Sequence, residues 1–210
     1  YGYVVDGLFV DENDIQNYPT QPYTAVPGEY RFKDLNGDGK VTPEHDRKVI
    51  GNQFPKYSYG LNLNARYKGF DLALLLRGLG GANRMIISNH QGRALYLGSN
   101  VQEWMYNNRW TSENPNPNAT YPRMTTHSDG VHTWASSYWM RSADFLRIDN
   151  FQLGYTLPST LSKRIGTKNL YIYTSCRNLL TLSGYYKGWD PETGLYPPTR
   201  VLLLGLNIKL

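Results

Sequence analysis

The chain has one cysteine in 210 residues, Cys176, so no intrachain disulfide can form. Histidine is scarce too: His45, His90, His127 and His132 all fall in predicted loops. His127 and His132 stand five apart, a spacing that suits neither a helical zinc pair nor a catalytic template, and solvated loop histidines are expected. There is no G-x-S-x-G, Walker A or H-E-x-x-H string, and the GLGG cluster at Gly78–Gly81 lacks G-x-G-x-x-G order. No stretch of ~18 apolar residues exists, which excludes a membrane helix. The formal net charge is +5, yet the Lys and Arg are dispersed, so charge does not mark a nucleic-acid partner. No repeat, low-complexity tract, signal peptide or initiator Met is seen. The first residues already read as structure, and a piece of a longer chain is expected.

What the sequence does have is alternation. In YSYGLNLNARYKGFDLALLLRG, Tyr59, Leu61, Leu63, Ala65 and Tyr67 alternate with Ser58, Gly60, Asn62, Asn64 and Arg66. Beyond Lys68-Gly69, Phe70, Leu72, Leu74 and Leu76 alternate with Asp71, Ala73, Leu75 and Arg77. Period two over this length predicts strands. A two-residue loop at Lys68-Gly69 makes a hairpin in which Tyr67 faces Phe70, Ala65 faces Leu72, Leu63 faces Leu74 and Leu61 faces Leu76. It also sets Arg66 opposite Asp71, an expected ion pair. FLRIDNFQLGYTL and TRVLLLGLNIKL repeat the pattern, and KNLYIYTSCRNLL is more mixed. Five long strands are predicted, about 57–67, 70–79, 145–156, 168–178 and 199–210, each near the length a tilted membrane strand needs.

Connections alternate in length. The hairpin turn is two residues and the link after 156 is short, with a helical turn at PSTLSKRIG. Segments 80–144 and 179–198 are long loops, and 1–56 reads as a Pro-, Gly- and Asn-rich loop region. Short turns at one end and long loops at the other suit an outer-membrane barrel. A soluble sandwich shows the same alternation, and the pattern by itself leaves both open. Three details favour the barrel. Large hydrogen-bonding residues (Asn62, Asn64, Arg66, Gln152) stand on the polar face, aromatics (Tyr59, Tyr67, Phe70, Tyr155) bound the apolar face, and the strands are long.

The sharpest local motif is DLNGDGKVTPEHD. Asp34, Asn36 and Asp38 occupy positions 1, 3 and 5 of an EF-hand-type loop, Gly39 takes the sharp turn, and Lys40 offers its carbonyl. Position 12 is His45, a poor calcium ligand. Asp46 is the chosen closing acid, with Glu44 as alternative, and the competing reading is a metal-free Asx/Gly turn. A bound Ca²⁺ would be structural. All five Trp (104, 110, 134, 139, 189) lie outside the strands, accompanied by Tyr96, Tyr106, Tyr121, Tyr138, Tyr185 and Tyr186. Such rings stack on sugars or build small loop cores. Arg109, Trp110 and Trp189 are the candidate ligand contacts.

The phrases YGYVVDGLF, DLNGDGK, VIGNQFPKYSYGLNLNARYKGFDL, FLRIDNFQLGYTLP, NLYIYTSCRNLLTLSGYYKGWDPE and TRVLLLGLNIKL, in that order, resemble the C-terminal part of the SusC/RagA-like TonB-linked outer-membrane transporters of Bacteroidetes. The resemblance runs along nearly the whole chain, with 82–138 least diagnostic. It implies an all-β fold, the last strands of a transmembrane antiparallel barrel of about 22 strands. A fragment alone would be an open curved sheet. It also implies import of glycan or peptide fragments without covalent chemistry. The implied partners are the TonB complex, acting through the absent N-terminal part, and a SusD-like surface lipoprotein, all at the bacterial outer membrane. The closing residue departs from the pattern: Leu210 stands where such barrels often end in an aromatic. The alternative is a soluble β-sandwich carbohydrate-binding or adhesion module.

Overall fold

The computed structural model describes residues 1–86, 103–125, 131, 134–185, 188–193 and 198–210. His90, His127, His132, Tyr96, Tyr186 and the side chain of Trp104 lie outside the described residues. In chain order the elements are β1 (Gly2–Tyr3), β2 (Val5–Leu8), α1 (Glu12–Gln16), β3 (Tyr30–Phe32), β4 (Arg47–Lys48), β5 (Tyr57–Tyr67), β6 (Phe70–Gly80) and β7 (Asn83–Met85). There follow α2 (Glu103–Asn107), β8 (Met140–Ser142), β9 (Phe145–Thr156), α3 (Ser159–Arg164), β10 (Asn169–Ser183) and β11 (Val201–Lys209). The chain divides into two units, one of residues 1–52 with 85–141, the other of 53–84 with 142–210.

The first unit is built from short elements around its own aromatic core. Tyr3 stacks on Phe32 at 4.6 Å between ring centroids and on Trp134 at 5.6 Å. Tyr30 packs on Tyr138 at 4.7 Å and meets Trp139 edge-on at 6.0 Å. Leu8, Phe9, Tyr30 and Phe32 are fully buried. The segment 1–56, read from sequence as loop, therefore contributes side chains to a packed core.

The second unit is one antiparallel sheet of five strands in the order β11-β10-β9-β6-β5. The hairpin pairs as the alternation dictates, with Leu61 opposite Leu76, Leu63 opposite Leu74 and Tyr67 opposite Phe70. Lys68 and Gly69 both take positive φ, 48° and 88°, as a two-residue hairpin turn requires. Register then carries the apolar face across the sheet: Leu72 meets Leu153, Leu74 meets Phe151, Ile172 meets both Tyr155 and Leu206, and Thr174 meets Leu204. That face is open to its surroundings: Leu63 is 46% exposed, Leu204 82% and Leu206 59%. A sandwich would bury these leucines under a second sheet. This sheet is single-layered, the open curved sheet expected of a barrel fragment. β5 and β11 are its two outer strands, each with one edge unpaired among the described residues.

Two details differ from the sequence expectation. β10 runs on to Ser183 across a bulge between Arg177 and Leu180, where Asn178 takes φ 53°. Arg66 and Asp71 do face each other in register, but no ion pair joins them among the described residues. The Asp71 carboxylate accepts from the Tyr171 hydroxyl at 2.9 Å instead.

Candidate functional site

Tyrosines close over glycines on the polar face of the sheet. A Cβ at Gly154 would run into the Tyr171 ring, and one at Gly205 into Tyr173, so each glycine makes a seat for an aromatic from a neighbouring strand. Tyr171 and Tyr173 stack at 5.4 Å. Tyr171 lies across Gly154 to reach Asp71, and Gln152 donates to its hydroxyl at 3.3 Å. This network stands at the end of the sheet that carries the Lys68-Gly69 turn.

At the opposite end, next to the long loops, lies the densest charge cluster described. Arg77 on β6 and Arg147 on β9 are register partners. The β10–β11 loop comes down on them with Asp190 and Glu192. Arg147 is 1% exposed and pairs with the buried Asp190 and with Glu192 at 3.0 Å. Its Nε donates to the Thr181 hydroxyl at 3.0 Å. Arg77 holds both Glu192 oxygens, at 2.7 and 2.9 Å, and also approaches Asp149 at 3.2 Å. Arg84 donates to the Glu192 carbonyl. Both guanidinium groups lie over the Phe145 ring, at 4.9 Å for Arg147 and 5.7 Å for Arg77. Asp190 folds its own loop by accepting from the amides of Glu192 and Thr193, each at 2.9 Å. The hydrogen bonds from Arg77 hold the Glu192 carboxyl below its ordinary range, against the opposing pull of burial, and the charges of Arg77 and Arg147 reinforce them. The loop is thus pinned to the polar face by one buried ion pair and one partly exposed fork.

Sequence reasoning placed Arg77 on the polar face but assigned no role to Arg147, Asp190 or Glu192. The available signal was two acids flanking Pro191 in a loop otherwise rich in tyrosine and glycine. Trp189 sits next to this pin, half-buried, in the wall of an open cleft of about 450 Å³ lined also by Tyr185, Asn178, Thr181 and Arg200. Arg109 and Trp110 belong to the other unit. The Arg109 guanidinium lies 3.6 Å over the Tyr106 ring. Trp110 is buried, its ring so close to Gly28 that a Cβ there would lie 2.5 Å from Cε3.

The 34–46 loop closes on itself through its acids. Asp34 accepts from the Gly37 and Gly39 amides at 2.7 and 2.8 Å, and Asp38 from the Lys40 amide at 2.9 Å. Asn36 donates to Asp38 at 2.9 Å. Gly37 and Gly39 take φ of 79° and 83°. Asp46 is buried at the base, accepting from Leu35 and Thr42 amides at 2.6 and 2.7 Å. Burial pushes its carboxyl up, but those amides and the Thr42 hydroxyl outweigh it and leave it below the ordinary range. No group of three or more His, Cys, Asp or Glu side chains is gathered for a metal among the described residues. Any cation here would depend on Asp34, Asn36, Asp38 and main-chain oxygen, a hard-oxygen set that suits calcium, with Asp46 behind them.

No family model matches the chain. It is 29% identical, over an alignment 230 positions long, to TonB-dependent receptor P3 of Formosa agariphila, an alignment that takes in 100% of this chain and 22% of that protein. It is 26% identical over 193 residues to TonB-dependent receptor SusC of Bacteroides thetaiotaomicron, covering 87% of this chain and 18% of the receptor. The chain therefore spans about a fifth of the length of these relatives. Among solved structures, the RagAB peptide importer in its open-open state superposes with a TM-score of 0.66 at 20% identity, over 100% of this chain and 22% of that one. The RagAB peptide transporter superposes with a TM-score of 0.67 at 21% identity, over 99% and 22%.

Proposed function

We propose, from a chain that is SusC/RagA-like in sequence and carries the C-terminal strands of such a barrel, that it serves as the closing section of a TonB-dependent outer-membrane importer. The observation that supports this most is the continuous, exposed apolar face of the sheet. Along β5, Tyr57 and Tyr67 bound that face, and ten steps at ~3.3 Å, tilted ~40°, give a band ~25 Å tall. That is the height of the apolar belt on an outer-membrane barrel. The polar face, with Asn62, Asn64, Gln152 and the Arg77–Arg147 cluster, would line the bore. In this reading the protein gates passage and has no covalent chemistry of its own. It would act with a SusD-like lipoprotein over the long-loop end and with TonB through a preceding segment.

The test is a pair of arginine substitutions in the chain refolded into lipid vesicles. Leu63→Arg faces hydrocarbon and is expected to cost about 2–4 kcal/mol, whereas neighbouring Asn62→Arg on the polar face costs far less. Equal effects, or a chain that stays soluble without detergent, would defeat the reading in favour of a soluble module.

The cargo in this proposal is a glycan or peptide fragment, with Trp189 as a candidate contact in the sheet unit and, separately, Arg109 and Trp110 as candidate contacts in the other. Alanine at each is expected to weaken uptake of the cognate fragment, and unchanged uptake would remove that residue from the site. The 34–46 loop is proposed to take one structural Ca²⁺ through Asp34, Asn36, Asp38 and the Lys40 carbonyl, bracing the loop with Asp46 at its base. Isothermal titration is expected to show calcium heat that Asp34→Asn with Asp38→Asn abolishes. A flat titration of the folded chain would count against it.

A further inference from the structure

We propose that the short-turn end of the sheet is a docking surface for acidic phospholipid headgroups, an inference that rests on the membrane placement above. From Asn150 to Trp189 the chain contains no Asp or Glu, and Asp71, an acid that this end does hold, is engaged by the Tyr171 hydroxyl at 2.9 Å. The α3 connection lies in the middle of that stretch and carries Lys163, Arg164 and Lys168, all exposed. The other connection at this end, the hairpin turn, carries exposed Lys68. None of these four cations takes part in an ion pair among the described residues. At the long-loop end, in contrast, Arg77 and Arg147 are matched by Asp149, Asp190 and Glu192.

Two placements tie the cations to the edge of the apolar band. The Lys68 ammonium lies 5.1 Å over the ring of Tyr67, an aromatic that ends the apolar face of β5. The Gly69 carbonyl accepts from the Thr156 amide at 2.7 Å, which brings the turn against the chain just before α3. α3 and its C-cap residue also leave apolar side chains exposed. Leu161 and Ile165, one turn apart, are 47% and 58% exposed. Exposed apolar residues beside unpaired Lys and Arg, continuous with an aromatic belt, are the composition of a segment lying in the interface. There the aliphatic stems of Lys and Arg rest on acyl chains while their charges reach the phosphates. Lys163 and Arg164 also complement the C-terminal end of the α3 dipole, but that role accounts for neither Lys68 nor Lys168.

The experiment is co-flotation of the chain with vesicles of phosphatidylcholine alone and with a third of the lipid replaced by phosphatidylglycerol, at low and high salt. The expected result is tighter binding to the acidic vesicles that high salt abolishes. Removing Lys163, Arg164 and Lys168 together as glutamines should cut the preference by about fivefold per charge, on the order of 100-fold in all. The charge-matched control, Lys33→Gln with Lys48→Gln and Lys56→Gln, should keep it. Equal binding to both lipids, or equal loss in the control, overturns the headgroup surface and leaves the membrane reading standing. Binding to neither vesicle overturns both.

Discussion

At the residue scale the central feature is a buried charge with its partners supplied by a loop. Arg147 is matched by Asp190, which is also buried, and by Glu192. Removing one member leaves the other charged and dry, so Arg147→Met is expected to cost about 3–5 kcal/mol in the urea midpoint of the vesicle-inserted chain. Adding Asp190→Leu should recover most of that loss, because an apolar pair of similar volume needs no counter-charge. The Glu192 arm answers to pH. Arg77 lowers its folded pKa, so the arm's contribution is complete above the ordinary Glu value of ~4.3 and is lost as pH falls through the lower folded value. Proteolysis of the β10–β11 loop should therefore be slow at pH 6 and rise in acid, and Glu192→Gln should remove the acid dependence. Alternation could not find Arg147. Counting back in twos from Phe151 puts Asp149 and Arg147 on the apolar face. Asp149 is an extra residue opposite β6, where Leu75 and Leu76 pair with Asn150 and Ile148, and this single bulge turns Arg147 to the polar side.

At the element scale the β5–β6 hairpin was legible residue by residue, because each apolar residue has an apolar partner and the turn has a glycine where positive φ is needed. Only the Arg66–Asp71 contact failed. Opposed positions fix Cα spacing, not side-chain choice, and Asp71 found a tyrosine hydroxyl from two strands away. The end of β10 was missed for a related reason: Asn178, a left-handed residue, interrupts the period although pairing resumes at Leu180. The turn also supplies a prediction. Gly69 has φ 88°, and a Cβ there would lie 2.8 Å from the Thr156 carbonyl oxygen. Gly69→Ala should lose about 1–2 kcal/mol through the left-handed backbone alone, with the clash adding to it. Refolding yield into vesicles would register the loss, and an unchanged yield and midpoint would show that the turn is not what sets the register.

At the scale of the whole molecule, two kinds of burial stabilise one chain. The sheet unit keeps its leucines exposed, a face that the proposed membrane placement would cover with lipid, while unit one buries Leu8, Phe9, Tyr30 and Phe32 in water-excluded contact with tryptophan and tyrosine. Sequence could not reveal this second core, since its members come from short segments far apart in the chain, with no period long enough to read. The two units should lose structure independently. Phe32→Ala opens a cavity against Tyr3, Tyr23 and Trp134. It is expected to cost unit one about 3–5 kcal/mol, as large-to-small changes in a closed core do. Tryptophan fluorescence, with four of the five tryptophans between residues 104 and 139, should then report an earlier urea transition. The amide infrared signature of the sheet should hold its midpoint, because β5, β6, β9, β10 and β11 pair with one another and, in the proposed membrane setting, meet lipid on their apolar face. A single transition that moves as one in both signals would mean that the units fold as a cooperative whole, and that the core of unit one stabilises the sheet as well as itself.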